Sequence, residues 1–200
     1  MLLRLALAMA LLTGSARAES LPARYDIVAP RPVMLRHSPD PGGAPTGQSV
    51  QGPAAVEVTA LSVDRNWARI NLGDGAAWMP KGALRRWPAP RDEGLPMRCY
   101  GTAPFWGLHL ASAFFAEIEA PEHPDLPLQI TGAARAEGAL PRTRLWTLSG
   151  AGLRATLTVR DETCTDGISD RIFGFSATLA RMENTGAVAL RLGCCSLTGP

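Results

Sequence analysis

Lysine is almost missing from this 200-residue chain, where Lys81 is the only one among 20 basic residues. The other basic residues are arginines, a bias that follows from genome composition without any selected chemistry. There is no charge of one sign either. If Met1–Ala18 is removed, Arg4 and Arg17 go with it, and the basic count falls to match the 18 acidic residues. A balanced chain lacks the basic footprint that nucleic acid or an anionic membrane surface requires, so neither is expected as a partner. Histidine is scarce, with 3 in all, and no cysteine precedes Cys99. No amphipathic helix of useful length, internal repeat or low-complexity tract stands out; Ala111 to Ala116 is the one stretch that could be read as helix.

Long apolar runs are also missing, apart from Leu5 to Leu12. That run is well short of the roughly 20 residues a spanning helix needs. It follows Arg4 and precedes Ala16-Arg17-Ala18, the small-residue pattern of a signal-peptide cleavage site. The expectation is an exported protein with residues 1–18 as its leader, periplasmic or secreted, with no membrane insertion after cleavage. No cysteine stands at the cleavage site to carry a lipid.

All 4 cysteines, Cys99, Cys164, Cys194 and Cys195, lie beyond residue 96. An even number in an exported chain reads as disulfides. Adjacent cysteines rarely bond each other. On a strand their side chains point to opposite faces. Cys194 and Cys195 should therefore take one partner each from Cys99 and Cys164, in either arrangement.

Pro88, Pro90 and Pro96 punctuate a boundary over residues 88–96. Prolines hold a chain extended and cannot donate to a ladder, so this is read as a linker. Before it, residues 24–87 form short β-like runs at Arg31 to Arg36, Ala55 to Leu61, Trp67 to Leu72 and Ala76 to Met79. Ser38-Pro39-Asp40-Pro41-Gly42-Gly43 is a dense turn, and Gly73-Asp74-Gly75 is a hairpin turn. Turns this frequent suggest a small closed barrel. After the linker, residues 97–200 offer strands at Trp106 to Leu110, Ala113 to Glu119, Leu126 to Ile130, Arg144 to Leu148, Leu153 to Arg160, Phe173 to Arg181 and Ala187 to Gly193. The fold class expected is all-β: a small barrel followed by a second antiparallel barrel or meander.

Three stretches of the first half carry a resemblance: Met34-Leu35-Arg36-His37-Ser38-Pro39-Asp40, Asn66-Trp67-Ala68-Arg69-Ile70 and Asp74-Gly75-Ala76-Ala77-Trp78-Met79. Together they resemble the bacterial SH3-like (SH3b) domains of envelope proteins, with Ser38 in place of the family's first turn glycine. That resemblance implies a small β-barrel that binds cell-wall peptides or proteins. In the second half, Gly101-Thr102-Ala103-Pro104-Phe105-Trp106, Cys164-Thr165-Asp166-Gly167-Ile168-Ser169-Asp170, Phe173 to Thr178 and Leu192-Gly193-Cys194-Cys195 resemble an uncharacterised family of bacterial envelope proteins. Its shared segments are GTEPFW, CxDGMSD and LxGCC. Ala103 replaces that family's glutamate and Ile168 its methionine.

Nothing in the chain supplies catalytic machinery. A nucleophile needs a base within reach, but His37, His109 and His123 are scattered, and no G-x-S-x-G elbow exists. Metal ligation is not expected: no two histidines pair at i, i+2 or i, i+4, and Cys194-Cys195 lacks zinc spacing. Counted from Asp161, the acidic loop puts Asp166 where an EF-hand needs glycine and Ile172 where it needs glutamate. Asp166-Gly167 is better read as a tight turn. No cofactor is expected.

What remains is binding. Trp67, Trp78 and Trp87 could line a peptide groove of the SH3 type. Trp78, with Tyr25 and Arg36 as neighbours, is the candidate ligand site, while Trp67 is read as core. Phe105 and Trp106 are expected to be buried anchors. The expected function is an exported, non-enzymatic envelope protein that binds a peptidoglycan peptide or a protein partner. The alternative is an inhibitor of a wall-degrading enzyme such as lysozyme, acting through loop Ala120 to Pro127 or loop Cys164 to Asp170.

Overall fold

A computed structural model describes residues 20–88, 95–120, 123–138, 141–150 and 152–197. The expected leader (1–18), most of the expected linker (89–94) and part of the loop after Ala120 lie outside the described residues. The all-β expectation holds. Among the described residues the only helical turn is a short 3-10 turn at Lys81–Ala83, and no helix is long and apolar enough to cross a membrane.

The N-terminal unit is a seven-stranded antiparallel sheet. Its strands are Ala23–Ile27 (β1), Val33–Arg36 (β2), Pro45–Val50 (β3), Ala54–Leu61 (β4), Trp67–Leu72 (β5), Gly75–Pro80 (β6) and Leu84–Arg86 (β7). They run in the order β3-β2-β6-β5-β4-β1-β7. The hairpin read at Gly73-Asp74-Gly75 joins β5 to β6, with Leu72 opposite Gly75 and Gly73 in the left-handed region that glycine favours. Two-residue alternation turns Tyr25, Ile27, Val58, Ala68, Ile70, Ala77 and Met79 inward onto Leu35. Three strands escaped the sequence pattern, Ala23–Ile27 among them. Pro45–Val50 is polar and mostly exposed, and Leu84–Arg86 is only three residues long.

The C-terminal unit is a closed eight-stranded antiparallel barrel, one strand more than the seven expected. Its strands are Met97–Thr102 (β8), Phe105–Leu110 (β9), Phe115–Ala120 (β10), His123–Arg135 (β11), Thr143–Gly150 (β12), Leu153–Arg160 (β13), Phe175–Glu183 (β14) and Val188–Leu197 (β15). The additional strand is β8, whose Met-Arg-Cys-Tyr-Gly-Thr run directly follows the linker prolines. It closes the barrel against β15. The 111–116 ambiguity resolves to a turn followed by β10. In β13, Leu153, Ala155, Leu157 and Val159 point inward while Arg154, Thr156, Thr158 and Arg160 face out. Trp106, Trp146 and Phe175 help fill the interior, as small barrels require.

All four cysteines are bonded, Cys99 to Cys195 and Cys164 to Cys194, so the vicinal pair does diverge to separate partners. Cys99 stands directly opposite Cys195 across β8 and β15, and this disulfide seals the closure seam. Two such bonds belong to an oxidising, extracytoplasmic compartment.

Side chain and backbone interlock the two units. Asn71 on β5 donates through Nδ2 to the Ile172 carbonyl (2.9 Å), and its Oδ1 accepts the Ile172 N–H (3.0 Å). The Asp170 N–H donates to the Asp74 carbonyl (2.9 Å), and Arg171 Nε donates to the Gly73 carbonyl. Glu57, buried on β4, accepts the Gly174 N–H at one oxygen and the Leu197 N–H at the other. A Cβ on Gly174 would overlap the Pro22 ring, so the approach of the units at this point requires glycine.

Candidate functional site

Trp78 sits at the middle of a cross-strand row. Arg36 on β2 is its partner on one side and Arg69 on β5 its partner on the other. All three are half-buried on one face of the sheet. The Arg69 guanidinium lies 6.0 Å from the centroid of the Trp78 ring, and its Nε donates to Thr59 Oγ1 at 3.1 Å. Arg36 Nη1 donates to the Gly43 carbonyl at 2.6 Å, which ties the row to the 38–43 turn. Partial burial pulls the Arg69 pKa down from its usual value, which makes a counter-anion more favourable there.

Of the three expected site residues, two meet. Arg36 and Trp78 are adjacent, but Tyr25 is only 1 % exposed. Strand β1 alternates buried and half-buried positions, and Tyr25 falls on the inward set between Val56 and Arg86. A groove residue needs solvent access, so Tyr25 is core. Arg69 takes its place, and the sequence signal for it was its position in the alternating run with Trp67 and Asn71.

The three tryptophans do not form one groove. Trp67 is buried opposite Pro80. Trp87 lies at the far edge of the sheet, under the Arg24 guanidinium (5.2 Å) and donating from Nε1 to Asp26 Oδ1 (2.5 Å). That bond, with a second from Arg85, holds the Asp26 carboxyl below its usual range.

The C-terminal motif residues converge on one structural joint. The Trp106 indole donates to the Leu192 carbonyl at 3.0 Å. A Cβ on Gly101 or on Gly193 would overlap that indole, so GTAPFW and LGCC are two halves of one packing arrangement. Trp106 is buried as expected, but Phe105 is 66 % exposed because neighbours on a strand face opposite ways. In the acidic loop, Asp166 accepts the Ile168 and Ser169 N–H groups and the Ser169 hydroxyl. Partial burial opposes ionisation of Asp166, but these donors and Arg171 outweigh it and lower its pKa. Its carboxylate is thus occupied in shaping the Asp166-Gly167 turn. Among the described residues, no three His, Cys, Asp or Glu side chains cluster as metal ligands would.

His37 is exposed after β2, and His109 Nδ1 lies 3.9 Å from Glu117 Oε2 on the barrel. Glu57 was not anticipated. Burial pushes it up to about 7, with the Leu197 and Gly174 N–H groups and then Arg24 pulling the other way. The available sign was a single carboxylate inside the apolar run Ala55-Val56-Glu57-Val58.

No family model, no curated protein and no solved structure matches this chain.

Proposed function

We propose that this chain is an exported, non-enzymatic envelope protein whose SH3-like half binds a cell-wall peptide or an envelope protein partner. The observation that carries the proposal is the Arg36–Trp78–Arg69 row. An indole flanked by two guanidinium groups on an accessible sheet face offers a stacking surface between two carboxylate-binding forks. Wall peptides bring carboxylates on short, flexible chains, which suits that surface. The leader sequence supports a periplasmic location, and the disulfides are consistent with one. The test is retention on purified peptidoglycan sacculi: wild type should be retained, and Trp78→Ala should lose at least 10-fold. Equal retention of both proteins would remove the strip from consideration.

One observation favours the inhibitor reading as an alternative. The loop from Cys164 to Asp170 is stapled by Cys164–Cys194 and shaped by Asp166, yet it holds Ile168 out at 71 % exposure. A pre-formed loop with an apolar tip resembles the element an enzyme inhibitor inserts. Inhibition of lysozyme that disappears on Ile168→Asp would favour this second reading over the first.

A further inference from the structure

Strand β15 is ten residues long, but β8 pairs only with its last four, Cys194 to Leu197. Val188 to Gly193 therefore has β14 on one side and, among the described residues, no paired strand on the other. The Leu192 carbonyl faces that open side, where the Trp106 indole reaches it. Alternation along a strand turns the N–H and C=O of Leu190 and Val188 the same way. Among the described residues these groups have no backbone partner on that side. Only Arg191 Nη1 approaches the Leu190 carbonyl, at 3.5 Å, beyond the usual bonding range.

The same stretch is apolar where it meets solvent. Val188, Leu190 and Leu192 stand on the outer face at 64, 62 and 70 % exposure, with Met182 beside Val188 on β14 at 47 %. Ala180 and Thr178 lie opposite Leu190 and Leu192, so no charge interrupts that face. Exposed edges are ordinarily guarded by charge, proline or a bulge. The one candidate guard here is Arg191, which belongs to the opposite set of the alternation. The edge is also held still, because Cys194 and Cys195 at its foot are both disulfide-bonded. A fixed template lowers the ordering cost of adding a strand.

We propose that the Val188–Leu190 edge pairs with the same edge of a second copy of this chain, joining two barrels through one antiparallel sheet across a two-fold axis. The Leu192 carbonyl is already engaged, so the free groups are those of Val188 and Leu190. Antiparallel pairing sets each Val188 against Leu190 of the second copy, and each such pair exchanges two backbone hydrogen bonds. Ala189 then meets Ala189 of the second copy at the axis, and Arg191 falls opposite Ala187 of the second copy. No like charges meet. That self-match, on a face with no charge to select a different partner, is what favours a second copy. Four exposed apolar side chains offer roughly 100 Å² each, or about 800 Å² over two copies. A standard stable interface starts at roughly 1,200 Å², so this dimer is weak and reversible.

The test is sedimentation equilibrium on the purified, oxidised protein from micromolar to millimolar concentration, with amide exchange followed alongside. A monomer–dimer equilibrium should appear, and exchange at the Val188 and Leu190 amides should slow at least 10-fold at the high end. The Ala189 and Arg191 amides face β14 and should not respond to concentration. Leu190 is exposed, so Leu190→Lys should fold, and a charge on each side of the axis should weaken the dimer at least 10-fold. Val188→Pro removes one edge N–H, spares the β14 ladder and should weaken the dimer as well. Val63→Lys, on an exposed position of the other unit, should leave the dimer unchanged. A monomer at millimolar concentration would leave the edge to some other partner and overturn the proposal. So would a dimer that Leu190→Lys does not weaken, or one in which the two edge amides stay unprotected.

Discussion

The barrel and the sheet are built from similar strands but secured by different means. The barrel closes on itself, and both disulfides lie within it. The sheet has no cysteine, and β3 and β7 at its two ends are not paired with each other among the described residues. It gains much of its fixity by leaning on the barrel through Asn71, Glu57 and the Gly73–Gly75 turn. Covalent closure makes one unit self-sufficient, and the other borrows its rigidity across a polar seam.

Removing the covalent support should produce the largest effect. Cys99–Cys195 closes a loop with a sequence separation of 96, and Cys164–Cys194 one of 30. By chain entropy, closures of that length contribute about 3 to 5 kcal/mol each, comparable to the whole stability of a small domain. Reduction, or the pair C99A/C195A, should therefore unfold the barrel first and the dependent sheet with it. Near-ultraviolet circular dichroism followed through a thermal ramp should show one transition moving down steeply. Two resolved transitions, with the sheet outlasting the barrel, would mean that the sheet is the independent unit.

The seam itself should respond to pH through Glu57. Its pKa in the folded protein is pushed up to about 7, against about 4.3 for an unperturbed side chain. The folded state then binds the proton more tightly than the unfolded state does. Glu57's contribution is fully present below the unfolded value and is lost as pH rises from there through about 7. The difference is on the order of 3 kcal/mol. Urea melts should show the protein more stable at pH 5 than at pH 8, and Glu57→Gln should flatten that difference. Stability that instead rises steadily between those two pH values would mean the two N–H donors keep Glu57 ionised.

Much of the barrel was legible in the sequence because its strands alternate cleanly. Leu153 to Arg160 needed nothing beyond a two-residue period. The divergence of Cys194 and Cys195 followed from the same alternation, although their partners did not. What escaped depends on distant parts of the chain. Tyr25 reads equally well as groove or core until its register against Val56 is known. Glu57 is not legible locally, because a charge inside an apolar run has meaning only once its partners at positions 174 and 197 are in place.

A smaller effect is expected at Gly174. A methyl group there would press on the Pro22 ring and come within 3.2 Å of Glu57 Oε1. Overpacking of this kind costs about 1 to 3 kcal/mol. Gly174→Ala should lower the urea midpoint and raise hydrogen exchange along β1 and β4, with the barrel amides little changed. Uniform acceleration across both units would show that the seam and the barrel open together.

Asn71 gives the finest adjustment of the comparison. Its amide imitates one rung of a β-ladder, giving a donor to the Ile172 carbonyl and taking the Ile172 N–H. Asn71→Ala removes both bonds, but the partly buried backbone groups can recover water. The net cost should be about 1 to 2 kcal/mol. Asn71→Asp keeps the acceptor and loses the donor, so its oxygen faces the Ile172 carbonyl. If the rung supports the sheet as an imitation of backbone pairing, aspartate should be worse than alanine at neutral pH and should recover when acid restores a donor. Equal losses for the two variants, unaffected by acid, would reduce Asn71 to a packing residue and leave Glu57 as the main polar tie across the seam.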